Sequence, residues 1–258
     1  MLFIDTHAHI YSEQFDKDRD EMIQRAFDVG VESILMPNVD VDTIEPMLQI
    51  EDKFPGKCFS MMGLHPTSVG KDFEKQLTVM ENWLGKRKYC AVGEIGIDLY
   101  WDKTYLAEQI EAFKTQIEWG KKYQIPIVIH AREAFNEIFE VLDNMDLEGV
   151  SGVFHSFTGT YEQAKKALSY NCFKLGINGV LTFKNAKLGD AIKQYDVSDL
   201  VLETDAPYLT PTPFRGKRNE PMYLKYVIAK MAQLFGTTQE EVCRITTENA
   251  RQLFGIQP

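Results

Sequence analysis

Basic residues are in short supply: 28 lysines and arginines stand against 38 aspartates and glutamates, a formal net charge of −10. That balance excludes a whole-surface basic footprint for nucleic acid or anionic membrane, so an anionic ligand has to be held locally. Cysteine is scarce as well. The four present, Cys58, Cys90, Cys172 and Cys243, form no C-x-x-C pair, which argues against a disulfide framework and against a thiolate metal site, and suits reduced thiols in a cytosol. No apolar run reaches the length of a membrane span. The start, Met1-Leu2-Phe3-Ile4-Asp5, lacks a basic segment followed by a long apolar one, so the expectation is a soluble, unexported, cytoplasmic protein. Also missing is any Gly-x-Gly-x-x-Gly or Walker-type glycine loop after an early strand, which weakens the case for a doubly wound nucleotide-binding sheet.

What is present is the material of an ordinary folded protein: 44% hydrophobic and 26% charged residues in a chain of 258. Short apolar runs recur at Leu2–Ile4, Ser33–Met36, Cys58–Met62, Cys90–Val92, Ile127–Ile129, Gly152–Phe154, Phe173–Leu175 and Leu200–Leu202. They lack polar alternation, as do strands buried on both faces of a parallel sheet. The segments between them carry the helical period. Leu106, Ile110, Phe113 and Ile117 line one helix face, as do Ile23, Ala26 and Phe27 before a stop at Gly30. Leu224, Ile228, Met231 and Phe235 mark a further helix, and Thr237 with Glu240 predicts a capping box opening the next. Strand and helix alternating eight times without a linker predict an α/β chain folded as one (β/α)8 TIM barrel over residues 1–258, rather than two domains.

The five histidines, His7, His9, His65, His130 and His155, each fall at or just after the C-terminal end of a predicted strand. In a barrel those ends converge on one rim, where active sites are built. Any single one of them is more readily a buried structural histidine, but five on one rim are not. His7 and His9 are two apart in an extended segment, so both imidazoles can grip one cation, with Asp5 on the same side as their partner or as a bond to nearby backbone. His130 and His155 come from adjacent strands and can share a second cation. Glu94, at the fourth strand, lies between these sets and can bridge two metals with its two oxygens. Glu203 and Asp205 again share a side at period two. Imidazole and carboxylate without sulfur suit a hydrolytic site for zinc, manganese or magnesium.

Six motifs in order, Asp5-Thr6-His7-Ala8-His9, Gly63-Leu64-His65-Pro66, Gly93-Glu94-Ile95-Gly96-Ile97-Asp98, His130-Ala131-Arg132, His155-Ser156-Phe157-Thr158-Gly159 and Glu203-Thr204-Asp205-Ala206-Pro207, resemble the TatD family of metal-dependent deoxyribonucleases among the amidohydrolase-type barrels. The likeness runs from residue 2 to the closing Asn249-Ala250-Arg251-Gln252-Leu253-Phe254. It implies that His7, His9, Glu94 and Asp205 surround one divalent ion and that Glu94, His130 and His155 surround the other. It further implies a magnesium-stimulated phosphodiesterase that removes nucleotides from the 3′ end of single-stranded DNA.

The chemistry of the residues agrees. Two cations roughly 3.5–4 Å apart can activate a shared water and clamp both oxygens of an in-line phosphoryl displacement. Asp205 is the expected general base, with Glu203 as second choice or as a further ligand. His65, expected off both metal clusters, is better suited to donate to a phosphate oxygen. Arg132 can fork onto a phosphate or pair with Glu133 or Glu137. The loop Arg215-Gly216-Lys217-Arg218-Asn219, stiffened by Pro207, Pro211, Pro213 and Pro221, puts three cations where a DNA backbone could pass, though most such charge runs are merely solvated. Tyr100 and Trp101 can stack an unpaired base or pack against the rim. The rival function is a metal-dependent hydrolase of small esters, lactones or cyclic amides on the same barrel. Many of those bridge their metals with a carboxylated lysine, and Glu94 at that position favours phosphodiester work. A metal-stabilised binding module is disfavoured, because a closed structural site does not need the acid–base capacity of Asp205 and Glu203. No membrane and no obligate protein partner are implied.

Overall fold

The computed structural model describes residues 1–170 and 172–257. Each of the eight apolar runs lies in or overlaps a parallel strand: β1 Phe3–Asp5, β2 Val31–Met36, β3 Cys58–Ser60, β4 Val92–Asp98, β5 Ile127–Arg132, β6 Gly152–Phe154, β7 Phe173–Ile177 and β8 Leu200–Leu202. Ladders join β1 to β3 and β4 to β8 in sequence order. Two seams complete the ring. Between β3 and β4, Met62 N–H donates to Ala91 O and Gly93 N–H to Met62 O, both at 3.1 Å. Between β8 and β1, Thr6 N–H reaches Leu202 O and Asp205 N–H reaches His7 O, both at 2.9 Å. The chain is a (β/α)8 barrel.

Alternation along the strands sorts the core into two shells. Ile4, Leu35, Met61, Val128, Val153 and Val201 form one buried cluster with Phe254 and Ile256. Their neighbours, such as Phe3, Ile34, Ile127, Ile129 and Phe154, belong to a second cluster packed against the helices. The first set fills the barrel interior, and each buried side chain of this size contributes about 1.5–3 kcal/mol. Phe254 and Ile256, at the end of the last helix, close the floor. Two residues beyond Val128 and Val153 stand His130 and His155, so the period that packs the interior also delivers imidazoles to the rim.

The helices follow the expected faces. α1 (Arg19–Asp28) ends at Gly30, whose φ of 105° only glycine adopts freely, and α4 (Leu106–Tyr123) and α8 (Leu224–Phe235) cover the predicted residues. α2 (Ile44–Lys53), α3 (Phe73–Leu84), α5 (Phe135–Asp143), α6 (Tyr161–Ser169) and α7 (Leu188–Ile192) fill the remaining connections before the terminal α9 (Gln239–Phe254). The cap of α9 is one residue later than predicted. Thr237 N–H closes the end of α8 on Ala232 O, so Thr238 becomes the cap and accepts from Glu241 N–H. No helix among the described residues is long and apolar enough to cross a membrane.

Candidate metal centre

The centre is built around Glu94, which is nearly fully buried. One carboxylate oxygen, Oε2, lies 3.1 Å from His7 Nε2 and 3.6 Å from His9 Nε2. The other, Oε1, lies 2.6 Å from His130 Nδ1, 3.3 Å from His65 Nε2 and 3.7 Å from His155 Nε2. Asp205 Oδ1 completes the ring at 3.5 Å from His9 and 3.8 Å from both His7 and His155. The structure thus brings together five imidazoles and two carboxylates from β4 and β5 and from the segments that follow β1, β3, β6 and β8. They open into a cleft of about 1000 Å³.

The hydrogen bonds behind the rings set which nitrogens are free. Tyr11 OH donates to Pro37 O at 2.6 Å, so His9 Nδ1, 2.8 Å from the same oxygen, must be the donor to it. In the neutral ring His9 Nε2 is then a bare lone pair facing Glu94 and Asp205. His7 is fully buried and both of its ring nitrogens lack a hydrogen-bond partner. Lone pairs crowded against carboxylate oxygens are tolerable only with a cation between them, so the donor set fits a divalent metal.

His65 is different, and its expected place is corrected. It does not stand off the cluster, since its Nε2 touches Glu94; but its Nδ1 accepts Thr67 N–H at 3.1 Å, which leaves the proton on Nε2. A ring in that tautomer is a donor rather than a ligand.

Burial pushes the His7 ring down, and the neighbouring His155 ring adds to this, to about 4. Burial works the same way on His155 and His130. It is outweighed by Glu203 and Glu94 at His155, which rises to about 10, and by Asp98 and Glu94 at His130, which rises to about 9. Burial would raise Glu94 and Asp205, yet the surrounding imidazoles hold both below the usual carboxylate range.

Other predicted residues sit elsewhere than expected. Glu203 and Asp205 part company because Asp205 adopts a left-handed backbone, with φ at 57°. Asp205 faces the cleft, whereas Glu203 is fully buried behind His155, with Oε1 accepting Ser156 N–H at 2.5 Å and lying 3.0 Å from His155 Nδ1. It is therefore out of reach of a water in the cleft. Gly176 makes room for it, because a Cβ there would come within 2.3 Å of Glu203 Oε2. Asp5 faces no imidazole. Its carboxylate accepts Thr204 N–H at 2.9 Å and Thr204 Oγ1–H at 2.6 Å, pinning β8 to β1.

Arg132 forms no ion pair with Glu133 or Glu137. Its guanidinium stacks on Tyr100 at 3.8 Å and lies 5.4 Å from the Trp101 ring, on the cleft wall. In the cationic loop Arg218 is committed to Asp18, with two bonds of 2.7 and 2.8 Å. Arg215 lies over Phe183 at 3.6 Å, and none of Arg215, Lys217 and Arg218 lines the cleft. The expected phosphate grip of that loop gives way to a latch onto the segment before α1.

Asp98 is the residue that sequence reasoning left without a role. Its Oδ2 is 2.8 Å from His130 Nε2, and its Oδ1 accepts the N–H groups of Tyr100 and Trp101 at 3.0 and 3.4 Å. The signal was available: Glu94, Gly96 and Asp98 are spaced by two on one strand. Gly96 has a φ of 141°, and a Cβ there would meet His130 O at 2.1 Å, so glycine lets the strand lie against His130.

The chain matches the model of the TatD related DNase family over residues 4–255. It is 40% identical over 257 residues to the uncharacterized metal-dependent hydrolase YabD of Bacillus subtilis, covering 99% of this chain and all of that protein. It is 29% identical to the 3′-5′ ssDNA/RNA exonuclease TatD of Erwinia billingiae, covering 98% of each. Among solved structures it is similar to YjjV, the TatD homolog of Escherichia coli, with a TM-score of 0.92 at 29% identity, covering 99% of this chain and 98% of that one.

Proposed function

The chain belongs to the TatD related DNase family of metal-dependent hydrolases, and on that premise we propose that it cuts phosphodiester bonds of DNA, releasing nucleotides from the 3′ end of single strands. The observation that carries the proposal is the division of Glu94. One oxygen faces His7 and His9 while the other faces His130 and His155, the arrangement of a carboxylate shared by two cations. His7, His9, Glu94 and Asp205 would hold one ion, and Glu94, His130 and His155 the other; magnesium, manganese and zinc all accept such donors. When bound, divalent ions supply Lewis-acid activation of water and neutralise charge on phosphoryl oxygens.

The protein's own groups do the rest. Asp205 is held ionised and opens to the cleft, so it takes the proton of the attacking water. His65, with its proton on Nε2, donates to a phosphoryl oxygen. Among the described residues, Arg132 is the one lysine or arginine lining the cleft, against Glu13, Asp40 and Asp42 on the same wall system. A single cation suits one phosphate near a strand end better than a long backbone laid across the rim. The four free cysteines suit a reduced cytosol.

Digestion of end-labelled single-stranded and duplex DNA with magnesium, manganese or zinc tests this. A ladder shortening from the 3′ end of the single strand is expected. Asp205→Asn, which keeps the size and loses the base, should lower turnover by about 10²–10⁴-fold at neutral pH with the fold intact. Near-full activity of that variant would remove Asp205 from the role.

A further inference from the structure

Six large apolar side chains are exposed among the described residues, and two of them, Trp101 and Tyr208, line the metal cleft, with Tyr100 beside Trp101. Single exposed rings scattered over a surface need no explanation, but two facing one cleft do. Trp101 is 71% exposed and Tyr208 53%, so neither is serving as packing. Their positions in the ring matter more. Trp101 follows β4 and Tyr208 follows β8, and in a closed eight-stranded order those strands lie on opposite sides of the barrel. The two rings therefore come to the cleft from opposite points of its rim, with the imidazoles between them.

Both rings are mounted on fixed backbone. Trp101 N–H is held by Asp98, and Tyr100 beside it carries the stacked Arg132 guanidinium. Tyr208 N–H donates to Asp205 O at 2.8 Å, its carbonyl accepts from Asn219 at 2.6 Å, and its ring meets the edge of His9 with centroids 6.2 Å apart. A held backbone beneath an exposed ring is what a stacking platform requires, because part of the ordering cost is already met. A flat π-system joined to a phosphate, with Arg132 beside it for the anion, describes a nucleotide.

We propose that Trp101 and Tyr208 form a nucleobase subsite split across the metal cluster, each ring stacking one of the last two unpaired bases of the strand being cut. The inference rests on the nuclease activity proposed above and adds to it the source of selectivity for unpaired ends. A base inside a duplex has both faces covered by its neighbours and cannot present one to either ring. Stacking is also blind to base identity, since every base has a π-face, so the subsite predicts little sequence preference.

The test compares two oligonucleotides of equal length, one ending in two normal 3′ nucleotides and one ending in two abasic residues, by kcat/KM on the metal-loaded protein. The wild type should favour the base-bearing end by roughly tenfold or more. That ratio should fall towards one in Trp101→Ala and in Tyr208→Ala, and should largely return in Trp101→Phe, which restores a ring. Both residues are exposed, so the variants should fold, and circular dichroism checks this. A ratio of one in the wild type, or a ratio unchanged in both alanine variants, overturns the subsite while leaving the nuclease standing. Failure to cut either oligonucleotide while bis-p-nitrophenyl phosphate is hydrolysed removes the nuclease reading itself.

Discussion

The rings of His7 and His155 lie stacked, with centroids 3.4 Å apart and planes 16° from parallel. The two nevertheless differ in proton affinity, with His7 pushed down by burial to about 4 and His155 lifted by Glu203 and Glu94 to about 10. Two imidazolium rings cannot stack face to face in a dry site, so the pair carries a single positive charge at neutral pH. A cation that takes the His155 lone pair must first expel that proton.

The pH dependence of the metal-free protein follows. His155 and His130 have folded values of about 10 and about 9, above the ordinary histidine value of about 6.5. Between those limits the folded state holds more protons than the unfolded one. Stability from these two groups is fully present below about pH 6.5 and is lost as pH rises through 9 to 10. Urea midpoints of chelator-treated protein should fall across that window, and those of metal-loaded protein should not. Metal affinity should rise over the same range with release of protons, as calorimetry in buffers of different ionisation enthalpy will read. A flat chelated curve would mean that His130 and His155 are neutral at pH 7.

Asp98 holds His130 from behind and the Tyr100–Trp101 backbone from below. Asp98→Asn keeps an oxygen for those N–H groups but removes the anion facing His130. Metal affinity should drop by about 10–100-fold, as expected for loss of a carboxylate that orients a ligand. Asp98→Ala should add a higher KM for oligonucleotides, because the loop loses its anchor. Unchanged affinity in both would show that Glu94 alone orients the ring.

Strand positions were legible because a run such as Ile127-Val128-Ile129 must be apolar on both faces, one against the helices and one in the barrel. The meeting of the five histidines was legible because each follows such a run. The cap of α9 was ambiguous, since Thr237/Glu240 and Thr238/Glu241 present the same pattern and only the left-handed Gly236 ending α8 decides between them. Arg218 shows where local reading stops. Its partner Asp18 is 200 residues away along the chain, and no composition of the loop reveals that pairing. The parting of Glu203 from Asp205 was hidden for a similar reason, because period two fails where the backbone turns left-handed.

Salt dependence separates the cations. Removing one cation that touches a single-strand phosphate should reduce the log–log salt slope of binding by roughly 0.7. Arg132→Gln should produce that change. Arg218→Gln should leave the slope alone and lower unfolding stability by up to about 1 kcal/mol, since its charge already serves Asp18, held well below the usual carboxylate range. The reverse result, with the slope following Arg218, would return the loop to the substrate.

The seam between β8 and β1 ties together residues far apart in the chain: Asp5 holds Thr204 across 199 positions, and Asp205 N–H bonds His7 O one step further along. A cation gripped by His7 and Asp205 would thus be a stitch that closes about three quarters of the polypeptide into a loop. By analogy with a covalent crosslink spanning so long a loop, such closure is worth about 5 kcal/mol. It also fixes what happens if the exposed turn between α5 and β6 is nicked. One fragment keeps His7, His9, His65, Glu94 and His130, the other keeps His155 and Asp205, so a bound ion would add a link between the halves beside the β5–β6 ladder and the β8–β1 seam.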